Sequence, residues 1–216
     1  MMGLSDLFKT PTLPYKDAST NTIYELLFCD QIELYQNNNN QSYPWNILLS
    51  ETAYVADLKK ITMDATVETR AKILAYTKLQ GSGQRLDKRE LLAVIVEVGL
   101  DNGLDVLASY QDGSARYLNH SGKVLIWQTK STQSNNLINN LFSDSVAIIS
   151  KIGPWNKPRL PFPARGNVRI TFLVSDGLYF GEGPIDALFR DALAGPALRS
   201  ATALMTYLTE EVITKR

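Results

Sequence analysis

The stretch 91–127 reads LLAVIVEVGL, DNG, LDVLASYQ, DG, SARYLNH, SG and KVLIW. Four apolar or alternating runs are separated by short glycine-containing turn signals, a pattern that predicts an antiparallel meander of four strands. Loop length sets register, and register decides which side chains share a face. Taken as a three-residue loop, Asp101-Asn102-Gly103 places Leu100 against Leu104, Val98 against Val106 and Glu97 against Leu107. Taken as two-residue turns, Asp112-Gly113 places Asp105 against His120 and Ser109 against Arg116, while Ser121-Gly122 places Leu118 against Leu125 and Arg116 against Trp127.

Alternation along the strands then gives two surfaces. Val94, Val96, Val98, Val106, Ala108, Tyr110, Ala115, Tyr117, Val124 and Ile126 form the expected core face. The opposite face mixes Ile95, Leu107, Leu118, Leu125 and Trp127 with Glu97, Asp105, Ser109, Arg116, His120 and Lys123. The leucines argue against open solvent and the ionisable groups against full burial, so this face is expected to be half covered.

Ahead of the meander, Pro11 and Pro14 keep the first 18 residues out of a helix. From Ser19 or Thr20, Ile23, Leu26, Leu27 and Leu34 recur at helical spacing until Asn37 to Asn40 end the pattern in an exposed turn. Residues 43–63 show a mixed period that leans to helix over 51–61. Asp64 or Thr66 caps a helix over 65–80, and Gly81-Ser82-Gly83-Gln84 links this helical part to the sheet.

Beyond the meander, Ser131 to Ser134 introduce an amphipathic helix through 150, wide enough in its apolar stripe to cover a sheet. Residues 153–163 carry too many prolines for either regular element. Pro158 and Pro161 make a PxxP spacing that an aromatic-lined groove could bind, against the plainer reading of a stiff loop laying Trp155 and Phe162 on the domain. Strand 168–175 and a turn at Asp176-Gly177 make a hairpin. A strict two-residue turn there sets Phe172 against Gly181. Gly181-Glu182-Gly183-Pro184 then leads into a helix, with a phosphate cradle as the weaker alternative to a plain turn. Gly195-Pro196 breaks that helix, and 197–211 close the chain with Ala203, Leu204, Tyr207, Leu208 and Val212 on the buried side.

The class is therefore α+β: an antiparallel sheet of about six strands, a four-strand meander plus a C-terminal hairpin, packed by helices. With 216 residues, the expectation is a single α+β domain, 1–84 mostly helical and 85–216 the sheet-containing core. Lys+Arg and Asp+Glu both number 22, which argues against nucleic acid as a partner. No apolar run approaches a membrane span, and the opening lacks the pattern of a signal peptide. The single cysteine, Cys29, fits a cytoplasmic protein and reads as a buried inert thiol.

One histidine and one cysteine exclude zinc sites built on His/Cys clusters, Asp101 to Asp105 lack calcium-loop spacing, and no nucleotide or hydrolase motif occurs. No cofactor is implied. The candidate ligand-binding residues are Glu97, Asp105, Arg116, His120 and Trp127. Asp105 opposite His120 is a carboxylate–imidazole pair that could serve as a general base, although Ser109 lies too far along the strand to complete a hydrolytic set. Arg116 beside Trp127 suggests a guanidinium stacked on an indole. Glu97 requires a partner, expected to be a Lys or Arg from the helical first part. Two functions follow. The first is a non-catalytic interaction or scaffold module, with a protein partner or a second copy on the half-apolar sheet face or the proline-rich loop. The alternative is a small-ligand-binding protein or hydrolase using Glu97, Asp105, Arg116 and His120.

Overall fold

The structure, a computed structural model, describes residues 13–36, 42–84, 88–129 and 131–214, with side chains in the last helix as far as Glu211. The arm at 1–12, the asparagine turn at 37–40 and the side chain of Val212 lie outside these residues. A six-stranded antiparallel sheet runs in the order β4-β3-β2-β1-β5-β6. Its strands are β1 (Leu91–Leu100), β2 (Gly103–Tyr110), β3 (Ala115–Leu118), β4 (Val124–Trp127), β5 (Asn167–Val174) and β6 (Gly177–Pro184). The α+β class and the meander-plus-hairpin arrangement are those expected.

The registers are not. The β1–β2 turn holds only Asp101 and Asn102, because Gly103, at φ 144°, already pairs with Leu100. The β2–β3 loop takes three residues, 111–113: Tyr110 N–H donates to Ser114 O at 2.9 Å and Gly113 sits at φ 86°. The β3–β4 loop does the same, with Asn119 N–H on Lys123 O at 3.0 Å and Gly122 at φ 85°. A left-handed glycine closing a three-residue loop is the type I turn plus bulge, whose register differs by one from a two-residue turn. Glu97 therefore faces Val106, not Leu107, and Arg116 lies between Ala108 and Ile126, not Ser109 and Trp127. The C-terminal hairpin is shifted by two residues from the strict-turn register, pairing Phe172 with Tyr179 in place of Gly181, which leaves its faces as they were.

A one-residue slip exchanges faces. The first face now carries Val94, Val96, Asp105, Leu107, Ala115, Tyr117 and Trp127, and the second carries Ile95, Glu97, Val106, Ala108, Tyr110, Arg116 and Leu118. The expected polar row is thus divided between opposite sides of the sheet. Neither side is half open. Helices α5 (Thr132–Ile149) and α7 (Ala194–Thr214) bury Ile138, Leu141, Leu198 and Leu204 on the first face. Helices α1 (Ala18–Leu26), α3 (Val55–Met63) and α4 (Thr69–Gly81) bury Tyr24, Leu58, Ile61, Leu74 and Leu79 on the second. The short helices α2 (Trp45–Leu48) and α6 (Ile185–Arg190) complete the set.

Local chemistry explains the helix ends. Asp17 caps α1 by accepting the Thr20 N–H, and the helix stops before Leu34 because Cys29 adopts the left-handed conformation at φ 53°. Helix α4 starts at Thr69 rather than 65, since the Asp64 carboxylate takes the Thr66 N–H in an Asx turn. Helix α5 opens on the capping box of Ser131 and Ser134. Residues 181–184 belong to β6, so the glycines are strand and not a phosphate cradle. In α7, Ala203 is exposed, while Ala201, Leu204 and Leu208 are buried. No helix among the described residues is long and apolar enough to cross a membrane.

The proline-rich segment 153–165 straps the second face beyond β1. Trp155 N–H donates to Leu178 O at 2.7 Å, Gly166 N–H donates to Gly99 O at 2.9 Å, and the backbone carbonyls of Pro163 and Ala164 press onto Gly99. A Cβ at Gly99 would sit 2.7 Å from Pro163 O and closer still to Ala164 O. Gly99→Ala is accordingly expected to lower stability by about 1–3 kcal/mol, the range for overpacking a tight contact, and to shift Trp155 fluorescence, both measurable in one denaturant titration.

Candidate functional site

Asp105 and His120 do meet, but chiefly through the backbone. The Asp105 carboxylate accepts the His120 N–H at 2.6 Å, lies 3.3 Å from His120 Nδ1, and takes the Tyr117 hydroxyl at 3.1 Å. It is the anchor of the β3–β4 loop, and the imidazole stays half exposed. Asp105 and Tyr117 also line a small, mostly apolar cavity of about 60 Å³ against α7. The Ser109 hydroxyl is fully buried, and the Tyr117 phenol is pushed upward, first by burial and then by Asp105, so it stays protonated.

Glu97 is completely buried on the other face. Its Oε1 accepts the Tyr24 hydroxyl at 2.7 Å, and its Oε2, which takes no hydrogen bond, lies 3.7 Å from Arg169 Nη1. The expected cation from the helical part is replaced by a tyrosine from α1 and by an arginine on the other neighbouring strand, β5. Arg169 also pairs with Glu182 at 2.6 Å and donates to the carbonyls of Leu160 at 3.2 Å and Pro161 at 2.7 Å. Arg159 in the strap pairs with Glu25 and Asp30 and covers the Phe28 ring. Burial raises the Glu97 carboxyl above its ordinary range, against the opposing hydrogen bond of Tyr24 and the charges of Arg169 and Arg159. The group is structural: it holds the strap through Arg169.

Trp127 and Arg116 point to opposite faces. The indole is buried edge-on against Tyr207 at 5.8 Å, and Arg116 meets only the Trp127 carbonyl, at 3.4 Å from Nη1, so there is no stack. Nη1 also donates to Ala115 O at 2.9 Å. Arg116 is 6% exposed, yet Nε and Nη2 have no hydrogen-bond partner among the described residues. It lines a polar pocket of about 260 Å³ with Thr66, Glu68, Asp112, Ser114 and Gln128. Both carboxylates there are engaged: Asp112 accepts Thr69 N–H at 2.8 Å and Ser114 Oγ–H at 2.7 Å, and Glu68 Oε2 pairs with Arg70 at 2.8 Å. Burial pushes the Asp112 carboxyl up, but these hydrogen bonds outweigh it and leave it below the usual range. Burial and the nearby Arg70 charge together weaken the hold of Arg116 on its proton, more than Tyr110, Glu68 and Asp112 restore. Glu68, Asp112 and the pocket itself were not among the residues expected from sequence, because the 64–69 turn and the 111–113 loop meet only in the fold.

Among the described residues no group of three or more His, Cys, Asp or Glu could hold a metal ion. The chain matches no protein-family model and no curated protein.

Because the backbone anchors the loop, His120→Ala is expected to change stability by less than about 0.5 kcal/mol, whereas Asp105→Ala strips the partner from a loop N–H and a phenol and should cost about 1–3 kcal/mol. Thermal or urea unfolding separates the two. A carboxyl whose folded pKa is raised adds stability at low pH and loses it as pH climbs through that value. Glu97→Gln should therefore match the wild type in acid and become the more stable protein as pH rises, seen in urea midpoints between roughly pH 5 and pH 8.

Proposed function

We propose that this chain is a non-catalytic small-ligand-binding protein that holds an oxyanion, carboxylate or phosphate, on Arg116. One observation carries the reading: Arg116, a residue only 6% exposed, opens Nε and Nη2 to a polar pocket with no hydrogen-bond partner for either among the described residues. Taking a charge out of water is expensive unless it is paired and hydrogen-bonded. The planar guanidinium fork matches an oxyanion with two parallel donors, and such bonds are about twice as strong as neutral ones. If Arg116 served only to tie β3 to β4, its Nη1 bonds would complete that work.

A partner-binding module is the second reading, favoured by the exposure of Pro158, Leu160 and Pro161 on the strap. Three of that segment's carbonyls are already taken: Pro158 O by the Trp155 indole at 3.0 Å, and Leu160 O and Pro161 O by Arg169. A groove that recognises polyproline segments would have the rings to grip and little backbone. The sheet faces that could have served a partner are covered by helices. Those two facts put the ligand reading first.

Titration of the isotope-labelled full chain with phosphate and with acetate, at constant ionic strength, tests it. A saturable shift of the Arg116 Nε–H resonance, absent for chloride, is expected, together with loss of phosphate-dependent thermal stabilisation in Arg116→Met. An unchanged Nε–H resonance in the wild type at tens of millimolar of either anion overturns the reading without recourse to the variant.

A further inference from the structure

The Arg116 pocket has partners for more than an anion. Its wall also includes two carboxylates, Glu68 and Asp112, which weaken the hold on an anion alone and favour a ligand that carries a positive charge as well. The charges are not equally committed. Asp112 Oδ1 accepts both the N–H and the hydroxyl of Ser114, at 2.9 and 2.7 Å, and Oδ2 accepts Thr69 N–H at 2.8 Å. Glu68 uses Oε2 for Arg70, while Oε1 has no hydrogen-bond partner among the described residues, and its side chain is 40% exposed. One pocket thus presents a donor fork and a carboxylate oxygen that no described residue fills, and Thr66, Ser114 and Gln128 also line it.

Each unfilled group selects the opposite charge. Arg116 cannot donate to a cation, and Glu68 Oε1 can accept only from a donor, most strongly from an ammonium. A ligand carrying both charges satisfies both groups and leaves the net charge of the pocket unchanged, whereas an anion alone meets repulsion from Glu68 and Asp112.

From this geometry we infer that the ligand is a zwitterion of free amino-acid type, its carboxylate on Arg116 and its ammonium on Glu68. The inference rests on the oxyanion reading of Arg116 and narrows it. A volume of about 260 Å³ suits a ligand of that size, small beside a peptide. Specificity comes from paired demands: a blocked amine leaves Glu68 facing a neutral group, and a blocked carboxylate leaves Arg116 as it stands without ligand.

The test uses the full chain and three probes built on one side chain: alanine, N-acetylalanine and alaninamide, followed at the Arg116 Nε–H and by thermal shift. Alanine is expected to bind about tenfold more tightly than N-acetylalanine, the loss that follows from one charge-assisted hydrogen bond, and alaninamide is expected to leave the Nε–H unmoved. In Glu68→Gln the advantage of alanine over N-acetylalanine should disappear while N-acetylalanine binds as well as before. Equal binding of alanine and N-acetylalanine to the wild type overturns the zwitterion and leaves the oxyanion reading standing. Binding of neither overturns both. Retention of the alanine preference in Glu68→Gln removes Glu68 as the ammonium partner and with it this inference.

Discussion

Strand β1 has hydrogen-bonded neighbours on both edges, β2 and β5, and helices over both faces. It is the longest strand and stands at the middle of the sheet, and its composition answers to that: LLAVIVEVGL holds a single charged residue, as a strand buried on two sides demands. At the register shift between Leu91 and Ala93 the alternation is broken: Leu92 and Ala93 share one core and Leu91 joins the other. Both halves of the sheet take their orientation from β1. The meander extends from one edge and the β5–β6 hairpin from the other, and any slip along β1 would turn the buried faces of both outward.

The two residues of β1 that break its apolar run, Glu97 and Gly99, meet the proline strap. Gly99 gives the backbone of the strap room to pass, and Glu97 balances Arg169, whose other donors hold the carbonyls of Leu160 and Pro161. Prolines suit a segment laid over a sheet face, since each brings a carbonyl to satisfy and no N–H. The strap is thereby fixed from below by one arginine and from its own Arg159 by Glu25 and Asp30 at the end of α1. The second face is sealed with charge where the first is sealed with hydrocarbon.

Element order, the meander and the capping of α5 were legible because they depend on local pattern. The faces were not, because they depend on whether a glycine ends a loop or begins a strand. Gly113 and Gly122 adopt the left-handed region and close three-residue loops, while Gly103 and Gly177, at φ 144° and 142°, are the first paired residues of their strands. All four are written as the same turn signal in sequence, and the missing Cβ that makes glycine suitable for both uses erases the difference. Asp105 and His120 came together regardless, since the loop they flank is short under either count. Glu97 and Arg116 went to the opposite face, and Arg169, unassigned from sequence, proved to be the neighbour of Glu97. Long-range pairings of this kind have no period for a sequence reading to detect.

The pocket at Arg116 gains its definition from a latch between distant segments. Thr69 N–H donates to Asp112 Oδ2 at 2.8 Å, and Asp112 N–H donates back to Thr69 Oγ1 at 3.0 Å, which locks the start of α4 to the β2–β3 loop. With both backbones fixed and Asp112 committed to three donors, the Arg116 fork and Glu68 Oε1 are left to take new partners, and the position of Arg116 is set by two carbonyls of the β3–β4 edge. A ligand arriving there finds donors already oriented, so little conformational freedom is lost on binding. At His120 the reverse holds: the ring is half exposed and the loop is held by its backbone. Burial within the fold is what sets the Arg116 side chain apart from the half-exposed ring of His120.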